Sequence, residues 1–213
     1  HLGLGEVASK TECMFVPKRK SEYDDENTGK LFLTDDGHFV EFTKQFRYLG
    51  SIVSYDLSSS AEVKKRISKA ASVFGRFKSK IFLNRNLDMS LRGKLFTALV
   101  VSVLLYGSEC WNLLDSDMKK IRVCYRGCVR ALTGVSRFEQ RFRKIRQGTL
   151  NAKLGIQSLE HYLGSRALRW LGHVARMPER RMPRKLLFGW VNKARLRGGQ
   201  NIRWGHRVSK LSR

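Results

Sequence analysis

The sequence predicts an α+β fold that is mainly α, with a small antiparallel β portion at its N-terminal side followed by a helical bundle and further basic helices. Three observations predict it. Short apolar runs bounded by turn residues fill the first part of the chain, the hydrophobic period changes from two to about 3.6 after Tyr55, and the charge changes sign along the 213 residues. His1 to Ser60 holds 7 basic and 10 acidic residues, Ala61 to Gln140 holds 16 and 6, and Arg141 to Arg213 holds 19 and 2, giving the overall +24. Domains are expected over residues 1–56, 57–148 and 149–213.

The β portion is read from four stretches. TECMFV, Thr11 to Val16, is expected to be a strand ended by Pro17. KLFL and HFVEF flank TDDG, where Asp35 and Asp36 are turn residues and Gly37 accommodates positive φ, a hairpin signal. FRYLGSIVS, Phe46 to Ser54, is expected to add a further strand.

Beyond Tyr55, Ser59 and Glu62 stand at capping-box spacing. Val63, Ile67, Ala70, Phe74, Phe77 and Ile81 then draw one apolar helical stripe, with most of the neighbouring cations off it. Asn84 to Asn86 ends this helix, and Asp88 or Ser90 starts another that stops at Gly107. A third begins near Asp115 and ends at Gly134. Arg137 to Gly148 has a weaker pattern, with arginines around Phe138, Phe142 and Ile145. Ser158 caps a long basic helix whose packing face is Leu159, Leu163, Ala167, Trp170, Leu171 and Val174, and a break over Met177 to Pro183 precedes a last helix.

Composition narrows the function. A pI near 10.5 makes a polyanion the natural partner, nucleic acid first. The longest apolar run, Leu95 to Gly107, is short of the ~20 residues a membrane helix needs, and no signal peptide is expected from the residues after His1. Cys13, Cys110, Cys124 and Cys128 lack zinc-finger partners and are expected to be free, packed thiols. Tyr23-Asp24-Asp25 sits between polar residues and is expected to be a solvated acidic loop. No metalloprotease, nucleophile-elbow or phosphate-loop motif occurs, no small-molecule site is identifiable, and no catalytic residue is assigned. The basic helices with interleaved aromatics remain. Arg166, Arg169, Trp170, His173 and Arg176 recur at helical spacing, so that cations meet phosphates while Trp170 packs inward or stacks on a base.

KTECMF, FRYLGSIVS, RISKAASVFGRF, VLLYGSECW, RALRWLGHVARMP and RLRGGQNIRW together resemble, in their order, the C-terminal part of LINE-type (non-LTR) retrotransposon reverse transcriptases. The resemblance implies the end of a palm, a primer grip at Tyr48, Leu49, Gly50 and Ser51, and a thumb whose Lys64, Lys65, Arg66 and Lys69 ride on the template–primer duplex. It implies RNA template, DNA primer and RNA–DNA hybrid as partners, activity in the nucleus, and a longer parent polymerase using Mg²⁺. That family's Tyr-x-Asp-Asp does not occur in these 213 residues, so the chain itself is expected to hold no cofactor and not to polymerise. A stand-alone basic nucleic-acid-binding module, domesticated or unrelated, shares the charge. A membrane-surface protein requires an amphipathic helix with a free apolar face, and no membrane partner is expected.

Overall fold

The computed structural model describes residues 12–16, 31–32, 39–40, 42–188 and 204. They form a mainly α, α+β structure that divides into two compact units, His1–Glu62 and Val63–Arg213.

In the first unit, β1 (Leu31–Phe32) pairs antiparallel with β2 (Phe39–Val40), Leu31 opposite Val40, as the hairpin reading expects; the intervening turn lies outside the described residues. The expected strand over Thr11 to Val16 is reduced to one parallel bridge between Cys13 and Phe42, closed by Thr43 N–H donating to the Cys13 carbonyl at 2.8 Å. FRYLGSIVS is not one strand. It folds back on itself as β3 (Gln45–Tyr48) and β4 (Ser51–Ser54), antiparallel, with Tyr48 opposite Ser51 and Phe46 opposite Val53.

The physical reason lies in the two residues between them. Leu49 has φ 46° and Gly50 φ 84°, so both central residues take the positive φ that a two-residue hairpin with right-handed strand twist requires. Glycine reaches that region freely; leucine does not. Leu49→Asn is therefore expected to stabilise the hairpin by roughly 1 kcal/mol, since Asn tolerates left-handed backbone. The readout is slower hydrogen exchange at the Tyr55 amide, which donates to the Lys44 carbonyl at 3.0 Å. Unchanged exchange there refutes the strain assignment.

Within the first unit the hairpin is tied to Glu62, which lies in the first turn of the first helix, α1 (Ser60–Phe77). In this register Ile52 faces Arg47 in a non-hydrogen-bonded pair, which turns its N–H outward. The buried Glu62 carboxylate accepts that N–H at 2.7 Å. Capping-box spacing alone does not reveal this use of Glu62.

The second unit is helical. The rest of α1 leads into a π-helical stretch over Lys78–Phe82, and α2 (Met89–Phe96) starts on Asp88, whose carboxylate accepts the Ser90 and Leu91 amides at 2.8 and 3.3 Å. A second π-helical stretch, Thr97–Val101, carries the same rod into α3 (Ser102–Leu104), and Gly107 then ends it with φ 71°. A 3-10 turn at Ser108–Cys110 leads on to α4 (Asp115–Thr133), which stops at left-handed Gly134. Shorter helices follow, α5 (Arg137–Phe142) and α6 (Gln147–Lys153). The long α7 (Leu159–Ala175) is capped by Ser158, whose hydroxyl accepts the His161 amide at 3.0 Å, and α8 (Met182–Phe188) follows it.

The core is a continuous cluster that α1, α2, α4, α6 and α7 all enter. Its centre is aromatic: Phe74 stacks on Phe82 at 4.7 Å, and Phe96 meets Phe74, Phe82 and Tyr125 at 6.5, 6.4 and 5.8 Å. Burial pushes the Tyr125 phenol well above its ordinary pKa, with Tyr162 and Glu160 adding to the shift. It stays protonated and donates to the Gln157 carbonyl at 2.5 Å. Cys128 is buried in the same core, one turn from half-buried Cys124. The interaction between the two thiols lowers the Cys124 pKa and, with burial, raises that of Cys128. No helix among the described residues is long and apolar enough to cross a membrane.

Candidate nucleic-acid interface

Apart from Arg66, the sequence-predicted residues fall on three surfaces, one in the first unit and two in the second. On the β3–β4 hairpin, Tyr48 and Leu49 are exposed at the tip, with Gly50 and Ser51 half-buried beside them. An aromatic ring and a leucine held out on a two-residue turn present a small apolar surface.

On α1, Lys64 and Lys69 are exposed and Lys65 is half-buried. Lys65, Lys69, Ser72 and Arg76 follow i, i+4, i+7, i+11 spacing, which puts them on one stripe facing away from the buried Phe74. Ser68, Ala71 and Gly75 border that stripe with small side chains. Arg66 is placed differently. It is 5% exposed, and its guanidinium lies 4.2 Å from the centroid of the Tyr106 ring, a cation–π contact inside the protein. The one-residue step from Lys65 turns its side chain about 100° toward the packed face.

The third surface is a cleft of about 370 Å³ lined by Glu109, Arg166, Arg169, Trp170, His173 and Arg176. All the residues predicted on α7 are thus brought together, because their i, i+3, i+4, i+7, i+10 spacing keeps them on one side of the helix. Leu159, Leu163 and Val174 anchor that helix in the core, and its flank packs on the 3-10 turn that carries Glu109. Trp170 is half-buried, its ring 5.5 Å from that of His173, while Arg169, His173 and Arg176 are exposed. The cleft is therefore cationic at its mouth and aromatic along one wall.

Glu109 is the member that helical spacing on α7 leaves out. It comes from a segment 57 residues before Arg166, and the only sequence signal is a carboxylate within the apolar VLLYGSECW. Its Oε2 is buried, lies 4.0 Å from the Arg166 guanidinium, and has no hydrogen-bond partner among the described residues. Its backbone carbonyl accepts the Trp204 indole N–H at 2.6 Å, a partner 95 residues further along the chain. Burial and then the Glu109 charge push the neighbouring Cys110 thiol above its ordinary pKa, so it remains a neutral thiol.

Fold and cleft together define a mainly helical, strongly basic protein with cation-lined surfaces. Over 168 residues the chain is 26% identical to a Caenorhabditis elegans protein named as uncharacterized and transposon-derived, covering 78% of this chain and 59% of that relative. The likeness points to a transposon origin. No protein-family model and no solved structure matches the chain.

Proposed function

We propose that this chain is the nucleic-acid-binding C-terminal part of a non-LTR retrotransposon reverse transcriptase, one that holds a primer and its template duplex. The observation that carries the reading is the α7 cleft, where Arg166, Arg169 and Arg176 surround Trp170 and His173 on a chain similar to a transposon-derived protein. Arginines at a cleft mouth pair with phosphates through their planar forks, and a half-buried indole offers a stacking face to a base or sugar. The Lys65–Lys69–Arg76 stripe adds cations that act on any duplex regardless of sequence. The exposed Tyr48-Leu49 tip is the element proposed to touch the primer end.

The described residues bring together no group of three or more His, Cys, Asp or Glu side chains suited to Mg²⁺, and Asp24 and Asp25 lie outside them. The proposed role of this chain is to bind and position.

The test is affinity for an RNA–DNA hybrid across a salt series. In the double variant Arg169→Gln, Arg176→Gln, the slope of log affinity against log salt is expected to become shallower by roughly 2, about one for each phosphate that the variant no longer neutralises. A variant that binds with the parental slope removes the cleft from the interface. Template-dependent nucleotide incorporation by the purified chain would overturn the assignment of a purely binding role.

A further inference from the structure

α5 is turned the wrong way round for an amphipathic helix. Its two largest apolar side chains, Phe138 and Phe142, are each 77% exposed, while polar Gln140 is half-buried on the opposite side. The inner side is held by polar contacts: Gln140 Nε2 donates to the Ile145 carbonyl at 3.3 Å, the Ile145 N–H donates to the Gln140 carbonyl at 2.9 Å, and Ile145 packs on the core. Ser136 fixes the start of the helix by accepting the Glu139 amide at 3.0 Å. The exposure of the rings is thus built into the way the helix is anchored.

The two rings are nearly parallel, 10° between planes, with centroids 5.9 Å apart. Cations surround them. Arg137, Arg141, Lys144 and Arg146 are exposed and make no ion pair among the described residues, whereas Arg143 bridges Glu139 at 3.3 Å. Paired flat aromatic faces set among uncompensated cations match the chemistry of one ligand class, a polyanion that carries planar rings with free faces.

We propose that Phe138 and Phe142 form a stacking platform for unpaired bases, binding single-stranded nucleic acid beside the duplex-binding surfaces. The proposal rests on the nucleic-acid reading above but uses a surface outside the α7 cleft and the α1 stripe. Bases within a duplex have their faces covered by their neighbours; an unpaired template or displaced strand does not. An anionic membrane fits less well. The helix spans only about 9 Å, and its apolar side is two rings with no aliphatic surface to bury among acyl chains.

The experiment compares the full chain with the double variant Phe138→Leu, Phe142→Leu, which keeps apolar bulk but removes the flat faces. Both rings are at the surface, so the thermal unfolding curve is expected to be unchanged. Affinity for a single-stranded RNA is expected to fall about 10-fold or more, and affinity for a duplex of equal length to stay within about 2-fold. A 2-aminopurine placed in the single strand is expected to lose its binding-induced fluorescence change. Equal loss on both ligands, or no loss on either, overturns the platform. So does tight binding of phosphatidylserine vesicles that the double variant abolishes. If the parent chain binds duplex but not single strands, the platform alone fails; if it binds neither, the nucleic-acid reading fails with it.

Discussion

Gly93→Ala is expected to destabilise the helical unit by about 3 kcal/mol, at the upper end of ordinary overpacking, and to lower its melting temperature by roughly 10 °C. The α2 helix passes so close to the turn after α6 that a Cβ on Gly93 meets the Leu154 carbonyl oxygen at 2.0 Å and the Ile156 Cγ2 at 3.0 Å. The first of these contacts is backbone, which no change of rotamer relieves. Accommodating the methyl group means moving α2 or the turn, and both are fixed in the core through Phe96, Leu150 and Leu154. Gly75 provides the control. It lies within α1 with nothing within 4 Å of an added Cβ, so Gly75→Ala is expected to stabilise by roughly 0.5–1 kcal/mol through helix propensity alone. Thermal or denaturant unfolding of the two variants checks both signs, and a mild effect at Gly93 refutes the close approach.

That close approach also shows where the sequence ceases to be legible. α1 and α4 carry apolar residues at steps of three and four, and their packed faces follow from the spacing. α2 buries Arg92, Gly93 and Phe96 instead. A charged residue and a glycine on the buried face leave almost no apolar stripe to read. Arg92 is tolerated there because its guanidinium donates to the carbonyls of Phe82 and Leu132, at 3.4 and 3.2 Å, near the ends of two helical segments. A cation at helix C-termini is favourable, but the partners come from residues 10 before and 40 after it, and no local pattern announces them.

The hairpin at FRYLGSIVS shows a different kind of failure. Leu-Gly is a poor match to the Asn-Gly and Asp-Gly pairs that signal a two-residue turn, so the apolar run reads as continuous. Only the paired register reveals that Leu49 is held in the left-handed region. On α7 the candidate site was legible, since one helix supplied all the predicted residues and its capping serine fixed the start. Glu109 was not, because it reaches the same cleft from another segment, and neither was the Trp204 indole that binds its backbone carbonyl. On α5 the arginines and phenylalanines were visible, but spacing alone cannot say that Gln140 faces in and the rings face out.

Phe96→Ala is expected to have the largest effect of any single substitution proposed for this protein, a loss of about 4 kcal/mol. Phe96 is fully buried and, among the described residues, is the ring that joins Phe74 and Phe82, from the α1 rod, to Tyr125 on α4. Its edge-to-face contacts with the first two rings, at 88° and 84° between planes, are orientation-dependent and cannot be restored by collapse around alanine. The variant leaves a cavity at the meeting point of three helical segments, whereas Phe96→Leu refills most of that volume and is expected to lose roughly half as much. The consequence reaches the binding surface, because Phe74 anchors the side of α1 opposite the Lys65–Lys69–Arg76 stripe. Under conditions where Phe96→Leu remains folded, its affinity for an RNA–DNA hybrid is expected to match the parent, since the core acts by holding α1 and not by contacting ligand. Calorimetric melting separates the two variants, and a Phe96→Ala protein that melts within about 3 °C of the parent would refute the central place given to this ring.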